Sequence, residues 1–310
     1  MHKELRNGLK YVMLLLATLS LVACGLPGVT SSQGKAIRLA GLSTTEGRII
    51  QEIVKQMIEH EAGLTVDTIN NLGTSVVLHQ AVMNGDADVT SIRYTGTEMA
   101  ATLGMEPSKD PQEAMATVQR IFDEQFDMKY YNSFGFENTY AFMVSQETAK
   151  ELGLSKVSDL EKYKDTIQAG FDSQWLIREG DGYPGFVKEY GFELANRHSM
   201  QIGLVYDAVA ARKMDTVLGY STDGRINSYN LVMLEDDRHF FPPYDASPAA
   251  TKEILKKYPE LDEVLSRLEG VIDTETMQTL NYTVDHKLKE PSIVAKEFLE
   301  AHNYFREEES

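Results

Sequence analysis

The chain has 310 residues, of which 42% are hydrophobic and 25% charged, with 22 glycines and 9 prolines. That is the composition of a folded protein of about two domains and excludes disorder or a collagen-like repeat as its main state. A formal net charge of −17 argues against nucleic acid as partner, since phosphate binding needs a basic face, and a single cysteine excludes an intrachain disulfide.

In chain order, the first segment is an address rather than a fold. Lys3, Arg6 and Lys10 form a basic start, and residues 11–23 (YVMLLLATLSLVA) an apolar run too short to span a bilayer as a helix. Leu21-Val22-Ala23-Cys24 follows and resembles a bacterial lipobox. The expectation is a lipoprotein signal peptide over 1–23, a diacylglyceryl anchor on the Cys24 thiol and a small, polar tether over 24–35. Such a leader puts an acidic globule outside the membrane, tethered by lipid. No later run approaches 18 apolar residues.

Ile37–Gly41 reads as a strand. Ser43, Thr44 and Thr45 offer N-caps for a helix carrying Ile49, Ile50, Ile53, Val54, Met57 and Ile58 at helical period. Leu64–Ile69 reads as a strand, Ser75–Met83 as a helix and Ala87–Ile92 as a third strand. This β-α-β-α-β order predicts a parallel sheet whose ligands sit beyond the C-terminal strand ends. Residues 111–127 form an amphipathic helix through Met115, Val118, Phe122 and Phe126. Thr139–Val144 opens a second strand series with Ile167–Phe171, Met214–Tyr220 and Leu231–Leu234, and residues 201–212 read as helical. The tail reads as helices over 251–257, 260–269, 273–285 and 291–302. Two α/β lobes follow, 36–131 with 238–310 as lobe I and 132–237 as lobe II, crossing near 130–137 and 230–240. A ligand belongs in the cleft between them.

Enzyme signatures fail on inspection. There is no HExxH or GxSxG, the seven histidines lack metal-ligand spacing, and no cofactor or metal is expected. Gly180-Asp181-Gly182-Tyr183-Pro184-Gly185 matches GxGxxG in letters. It follows a polar stretch, and Pro184 falls where a phosphate turn should enter its helix, so it reads as a surface turn. Glu235-Asp236-Asp237 lacks the spacing of a calcium loop.

Fifteen tyrosines stand against one tryptophan. Tyr94, Tyr140, Tyr220 and Tyr244 fall at strand ends or on a lobe crossing, where a cleft would be lined. A tyrosine face attracts a cation that cannot be hydrogen-bonded, such as quaternary ammonium, with roughly 0.5–2 kcal/mol per ring. Four rings reach about micromolar affinity. Spacing alone does not single out these four from the fifteen.

Six segments do. NLG (71–73), RYTG (93–96), NTYAF (138–142), QIGLVYDA (201–208), YSTDGRI (220–226) and FPPYD (241–245) occur in order. They resemble the substrate-binding lipoproteins of osmoprotectant ABC importers, of the glycine betaine, carnitine and choline type, over nearly the whole chain after the leader. The resemblance implies an α/β two-lobe periplasmic-binding-protein fold (type II-like), no enzymatic activity, and a permease partner. It places a tyrosine cage on Tyr94, Tyr140, Tyr220 and Tyr244, with polar contacts from Thr97 and Asn138. A hydroxyl at Thr97 can donate to a carboxylate, which leans toward zwitterions. Leu42 departs from the pattern, standing where relatives carry a polar amide, so Ser43 or Thr44 would have to replace that contact. Two other readings stay open on the residues themselves. One is an amino-acid binder using Arg93 or Arg225 as a carboxylate clamp. The other is a lipid-anchored hydrolase built on Ser221 and Asp223.

Overall fold

The computed structural model describes residues 36–178 and 180–305. Cys24, the leader and the tether lie outside the described residues. Among the described residues ten strands build two five-stranded sheets. The first holds β1 (Ile37–Leu42), β2 (Val66–Leu72), β3 (Val89–Tyr94), β4 (Met128–Tyr130) and β10 (Ala246–Thr251), in the order β2-β1-β3-β10-β4. The second holds β5 (Tyr140–Ser145), β6 (Gln168–Asp172), β7 (Asn196–Met200), β8 (Thr216–Tyr220) and β9 (Leu231–Met233), in the order β7-β6-β8-β5-β9.

Neither sheet is purely parallel, which corrects the sequence reading. β1 runs parallel to β2 and β3, but β10 is antiparallel to both β3 and β4. In the second sheet β6 is parallel to β7 and β8, whereas β5 is antiparallel to β8 and β9. Three strands, β4, β7 and β10, are not predicted from the sequence, and two of them show why. β10, ASPAAT, has small residues, a proline and no alternation; Pro248 is tolerated because the register shifts between Ser247 and Ala249. β7, NRHSM, is polar and half solvated, as suits a sheet edge.

The helices follow their periodicity. In Thr45–Glu61 the six predicted apolar positions are all buried, and Thr44 caps the start by accepting from the Gly47 N–H. Pro111–Phe126 starts with Asp110 accepting from Gln112 and Glu113 N–H at 2.8 and 3.2 Å, and Pro111 takes a first-turn place where no donor is needed. The predicted helix 201–212 is shorter: a 3₁₀ turn Ile202–Leu204 leads into Val205–Ala210. The tail folds as Lys252–Lys257, Glu260–Ser266, Thr274–Asp285 and Pro291–Ala301. Their apolar faces join the core of the first sheet through Leu261, Leu265, Met277, Val294 and Phe298. The second sheet buries an aromatic core around Phe142, Phe171, Trp175 and Phe186. No described helix is long and apolar enough to cross a membrane.

His79 gives the fold a pH response. Its ring meets the edges of Phe122 and Phe126 at 5.8 and 4.5 Å. Burial, and then the charge of Arg93, pull its pKa from 6.5 to about 4. The unfolded chain therefore binds the proton first, and stability falls as pH drops from about 6.5 toward 4. Discounted for partial solvent screening, this amounts to about 1–2 kcal/mol between pH 7 and 5. Urea titrations of the wild type and a His79→Gln variant at both pH values should show that difference only in the wild type; equal slopes would refute it.

Candidate functional site

Strand register makes the first contact. Tyr140 opens β5 and Tyr220 closes β8, and the two are direct cross-strand partners. Their ring centroids lie 5.1 Å apart with a 32° tilt. Tyr140 is buried and rests on Phe241 at 5.8 Å, while Tyr220 is 39% exposed, so the pair presents one face to solvent. Tyr206 holds Tyr220 from behind: its hydroxyl accepts from the Tyr220 N–H at 2.7 Å and donates to the Tyr220 carbonyl at 3.2 Å. Gly219 permits this, because a Cβ there would stand 2.7 Å from the Tyr206 phenol.

Arg178 joins this pair to Tyr244. Its Nη2 donates to the Tyr140 hydroxyl at 3.0 Å, and its guanidinium carbon lies 5.4 Å from the Tyr140 ring centroid. Its Nη1 meets Asp181 Oδ2 at 3.4 Å, and that oxygen accepts from the Tyr244 hydroxyl at 3.3 Å. Burial, then the neighbouring Tyr140, raises the pKa of Tyr220; burial, then Asp181, raises that of Tyr244. Both phenols are neutral donors at physiological pH. A cavity of ≈ 720 Å³ opens beside Tyr244, lined by Arg178 and Asp181 and by Ala100 and Pro107 from the first-sheet side.

Tyr94 belongs to a second group. Its hydroxyl donates to Glu46, a buried carboxylate in the first turn of Thr45–Glu61. Asn138 Nδ2 donates to Glu46 Oε1 at 3.0 Å and Asn281 Nδ2 to Oε2 at 3.3 Å. Burial, and then the Glu46 charge, push the Tyr94 pKa well above its ordinary value. The turn Thr95–Thr97 ties this group to Tyr244. Thr95 N–H donates to the Asp245 carbonyl at 3.1 Å, Gly96 N–H to the Pro243 carbonyl at 3.0 Å, and Asn138 N–H to the Tyr244 carbonyl at 3.1 Å. Gly96 is required by this approach, since a Cβ would lie 2.7 Å from the Pro243 oxygen and 3.1 Å from the Tyr244 ring. Thr97 is half-buried one step further along.

The structure thus gathers Tyr140, Tyr220 and Tyr244 around Arg178 and links Tyr94, Thr97 and Asn138 to them through the backbone of 243–245. Among the described residues, ring contact within the four tyrosines is confined to the Tyr140–Tyr220 pair. Carboxylates crowd the site. Glu137 and Asp245 pair as an isolated bridge on the crossing, and burial raises the pKa of each, with Asp245 adding to the effect on Glu137.

Other candidates are spoken for. Arg93 is fully buried against Glu98 and cannot clamp a solute. Arg225 grips both oxygens of its neighbour Asp223, at 2.9 and 2.8 Å, and lies over Tyr206 at 4.3 Å. Ser221 Oγ donates to the Glu137 carbonyl and accepts from the Thr139 N–H, which makes it a strand tie rather than a nucleophile. Leu42 is buried, Thr44 is the helix cap, and Ser43 is exposed with its N–H on the Leu72 carbonyl. Asp236 accepts from the Phe241 N–H and Asp237 from the Ser158 N–H, so the acidic triplet staples loops. The glycine-rich segment needs correction: it enters the helix Tyr183–Tyr190 with Pro184 in the first turn, and it lines the cavity.

Sequence reasoning missed Glu46, Arg178 and Asp181. A carboxylate just inside a helix start reads as a dipole complement, with nothing to show that it points inward. Arg178 and Asp181 lie in a polar loop without period.

Two mixed sheets with an aromatic, acidic site at their strand ends define a two-lobe solute-binding protein of the periplasmic type. Residues 35–301 match the family described as the substrate binding domain of the ABC-type glycine betaine transport system, and the chain belongs to that family. It is 52% identical to the carnitine transport binding protein OpuCC of Listeria monocytogenes over 294 residues, covering 95% of this chain and 96% of that one. It is 30% identical to the glycine-betaine-binding protein of Pseudomonas aeruginosa, over 93% of this chain and 95% of that one. The crystal structure of a glycine betaine/carnitine/choline ABC transporter superposes with a TM-score of 0.85 at 48% identity, covering 87% of this chain and all of that one. Members of this family are solute-binding components of transporters, not enzymes.

Proposed function

We propose that this chain captures quaternary-ammonium compatible solutes, of the glycine betaine, carnitine and choline type, outside the cell membrane and hands them to the permease of an ABC importer. The observation that carries the reading is Arg178 over Tyr140. A delocalised, weakly hydrated cation already rests on that ring, beside Tyr220 and within reach of Tyr244 through Asp181. A trimethylammonium head makes the same demand on a ring face. The site residues are Tyr94, Tyr140, Tyr220 and Tyr244 as the cage, with Thr97 and Asn138 as polar contacts. Arg178 is the nearby charge for a solute carboxylate. The surrounding Glu46, Asp181, Glu137 and Asp245 favour a cationic head over an anionic one.

The lobes are 36–131 with 238–310, and 132–237. A lipid on Cys24 holds the protein at the membrane, so a Cys24→Ala variant would move from the membrane fraction to the soluble one.

Calorimetric titration with glycine betaine, carnitine, choline, proline betaine, ectoine and a set of amino acids tests the assignment. Binding of amino acids alone would sink it. Tyr220→Ala isolates the cage, because its side chain is the most exposed of the four. Affinity should fall about tenfold or more, with the melting temperature nearly unchanged. Full affinity in that variant would remove Tyr220 from the site.

A further inference from the structure

We infer that the buried Arg93–Glu98 ion pair is a positioning device for the solute site. The inference rests on the reading of Tyr94, Thr97 and Tyr244 as solute contacts.

Arg93 stands directly before Tyr94, and Glu98 directly after Thr97. Both side chains are wholly enclosed, and Arg93 Nη1 meets Glu98 Oε2 at 3.0 Å. Each partner is anchored separately. Arg93 Nε donates to Thr90 Oγ1 at 2.8 Å, and its guanidinium carbon lies 5.2 Å from the Phe122 ring centroid. Glu98 Oε2 also accepts from Thr102 Oγ1 at 2.6 Å, across the widened π turn Glu98–Thr102. Such turns are rare and recur at functional sites. The pair therefore closes the turn Tyr94–Thr97 from beneath and fixes it to β3 and to the helix Pro111–Phe126.

From above, the same turn holds the segment that carries Tyr244. Thr95 Oγ1 donates to the Pro243 carbonyl and accepts from the Asp245 N–H, both at 3.1 Å, alongside the backbone bonds of Thr95 and Gly96. A shift in the turn reaches two cage tyrosines at once. Stability is a poor reason for such a pair, because apolar replacements of similar volume often hold a fold as well or better. What the pair supplies here is the geometry of the turn.

The test is the double variant Arg93→Met/Glu98→Leu in the full chain. It should fold with a denaturation midpoint near wild type and bind glycine betaine about tenfold or more weakly. Choline should lose less, since it has no carboxylate for Thr97. Amides of Tyr94–Thr97, Tyr244 and Asp245 should exchange hydrogen faster. Unchanged affinity and unchanged exchange in the folded variant would overturn the inference. Should the double variant not fold, Glu98→Gln keeps the shape and removes the charge; weaker binding there supports the brace, and wild-type affinity overturns it. Arg267→Met, which breaks the distant Arg267–Glu61 pair, should lower stability and leave affinity alone. A wild type that binds neither solute would defeat the proposed function, and the exchange rates would still decide the brace.

Discussion

Truncating Phe142 to alanine is expected to cost about 3–5 kcal/mol of folding stability. The residue is wholly buried in β5, and its ring meets Phe171, Trp175, Phe186 and Phe241 at centroid distances of 5.9, 6.1, 5.2 and 6.3 Å. Removing it takes away transfer free energy and leaves a void among rigid rings, which close over a gap poorly. In a chain of this size the melting temperature would drop by roughly 10 °C. Phe142→Leu should restore most of the difference. Phe241 also supports Tyr140, so the alanine variant should bind more weakly as well. Urea denaturation decides the matter, and a loss below about 1.5 kcal/mol would mean that the site collapses on itself.

Glu46→Ala has the next largest expected effect. The carboxylate is 4% exposed and accepts from Tyr94, Asn138 and Asn281. Without it the Tyr94 hydroxyl and the Asn138 amide lose that acceptor. Asn281 keeps its bond to the Thr222 carbonyl at 2.9 Å. Each orphaned buried donor costs about 1–3 kcal/mol, partly offset by no longer burying a charge, so the net loss should be about 2–4 kcal/mol. Solute affinity should fall at least tenfold, because the orientation of the Tyr94 ring is set by its hydroxyl bond. Glu46→Gln keeps one acceptor and turns an amide toward the remaining donors, so it should fall between wild type and alanine in both measurements. An alanine variant as stable and as tight as wild type would show that the carboxylate is incidental.

Legibility in the sequence followed the physics of each element. The helix Thr45–Glu61 could be read because six apolar residues at period 3.6 face one core. The tail helices could be read for the same reason, since each turns one apolar stripe into the first core, most of them against the helix Thr45–Glu61. β10 could not, because a strand of small residues enclosed on both faces leaves no alternation to read. The direction of pairing escaped for a related reason: β-α-β order in the first three strands says nothing of a strand returning from the far end of the chain. At the site, family resemblance and not spacing singles out the four tyrosines. The pairing of Tyr140 with Tyr220 depends on the register of β5 with β8, which sequence period cannot supply. Glu46 and Arg178 matter through where their side chains point, and a single sequence carries no sign of that.

The place of β10 bears on how the protein reaches its native state. β10 lies between β3 and β4, yet the whole second sheet separates it from both in the chain. A nascent polypeptide emerging from its N-terminus can pair β1, β2 and β3 early, but the flank of β3 stays an unpaired edge until residues 246–251 arrive. Contacts of such long sequence separation slow the rate-limiting step and prolong exposure of an aggregation-prone edge. The second sheet, continuous in sequence, has no such delay. Maturation should therefore be sequential, with the second sheet complete first and the first sheet closed only when β10 docks.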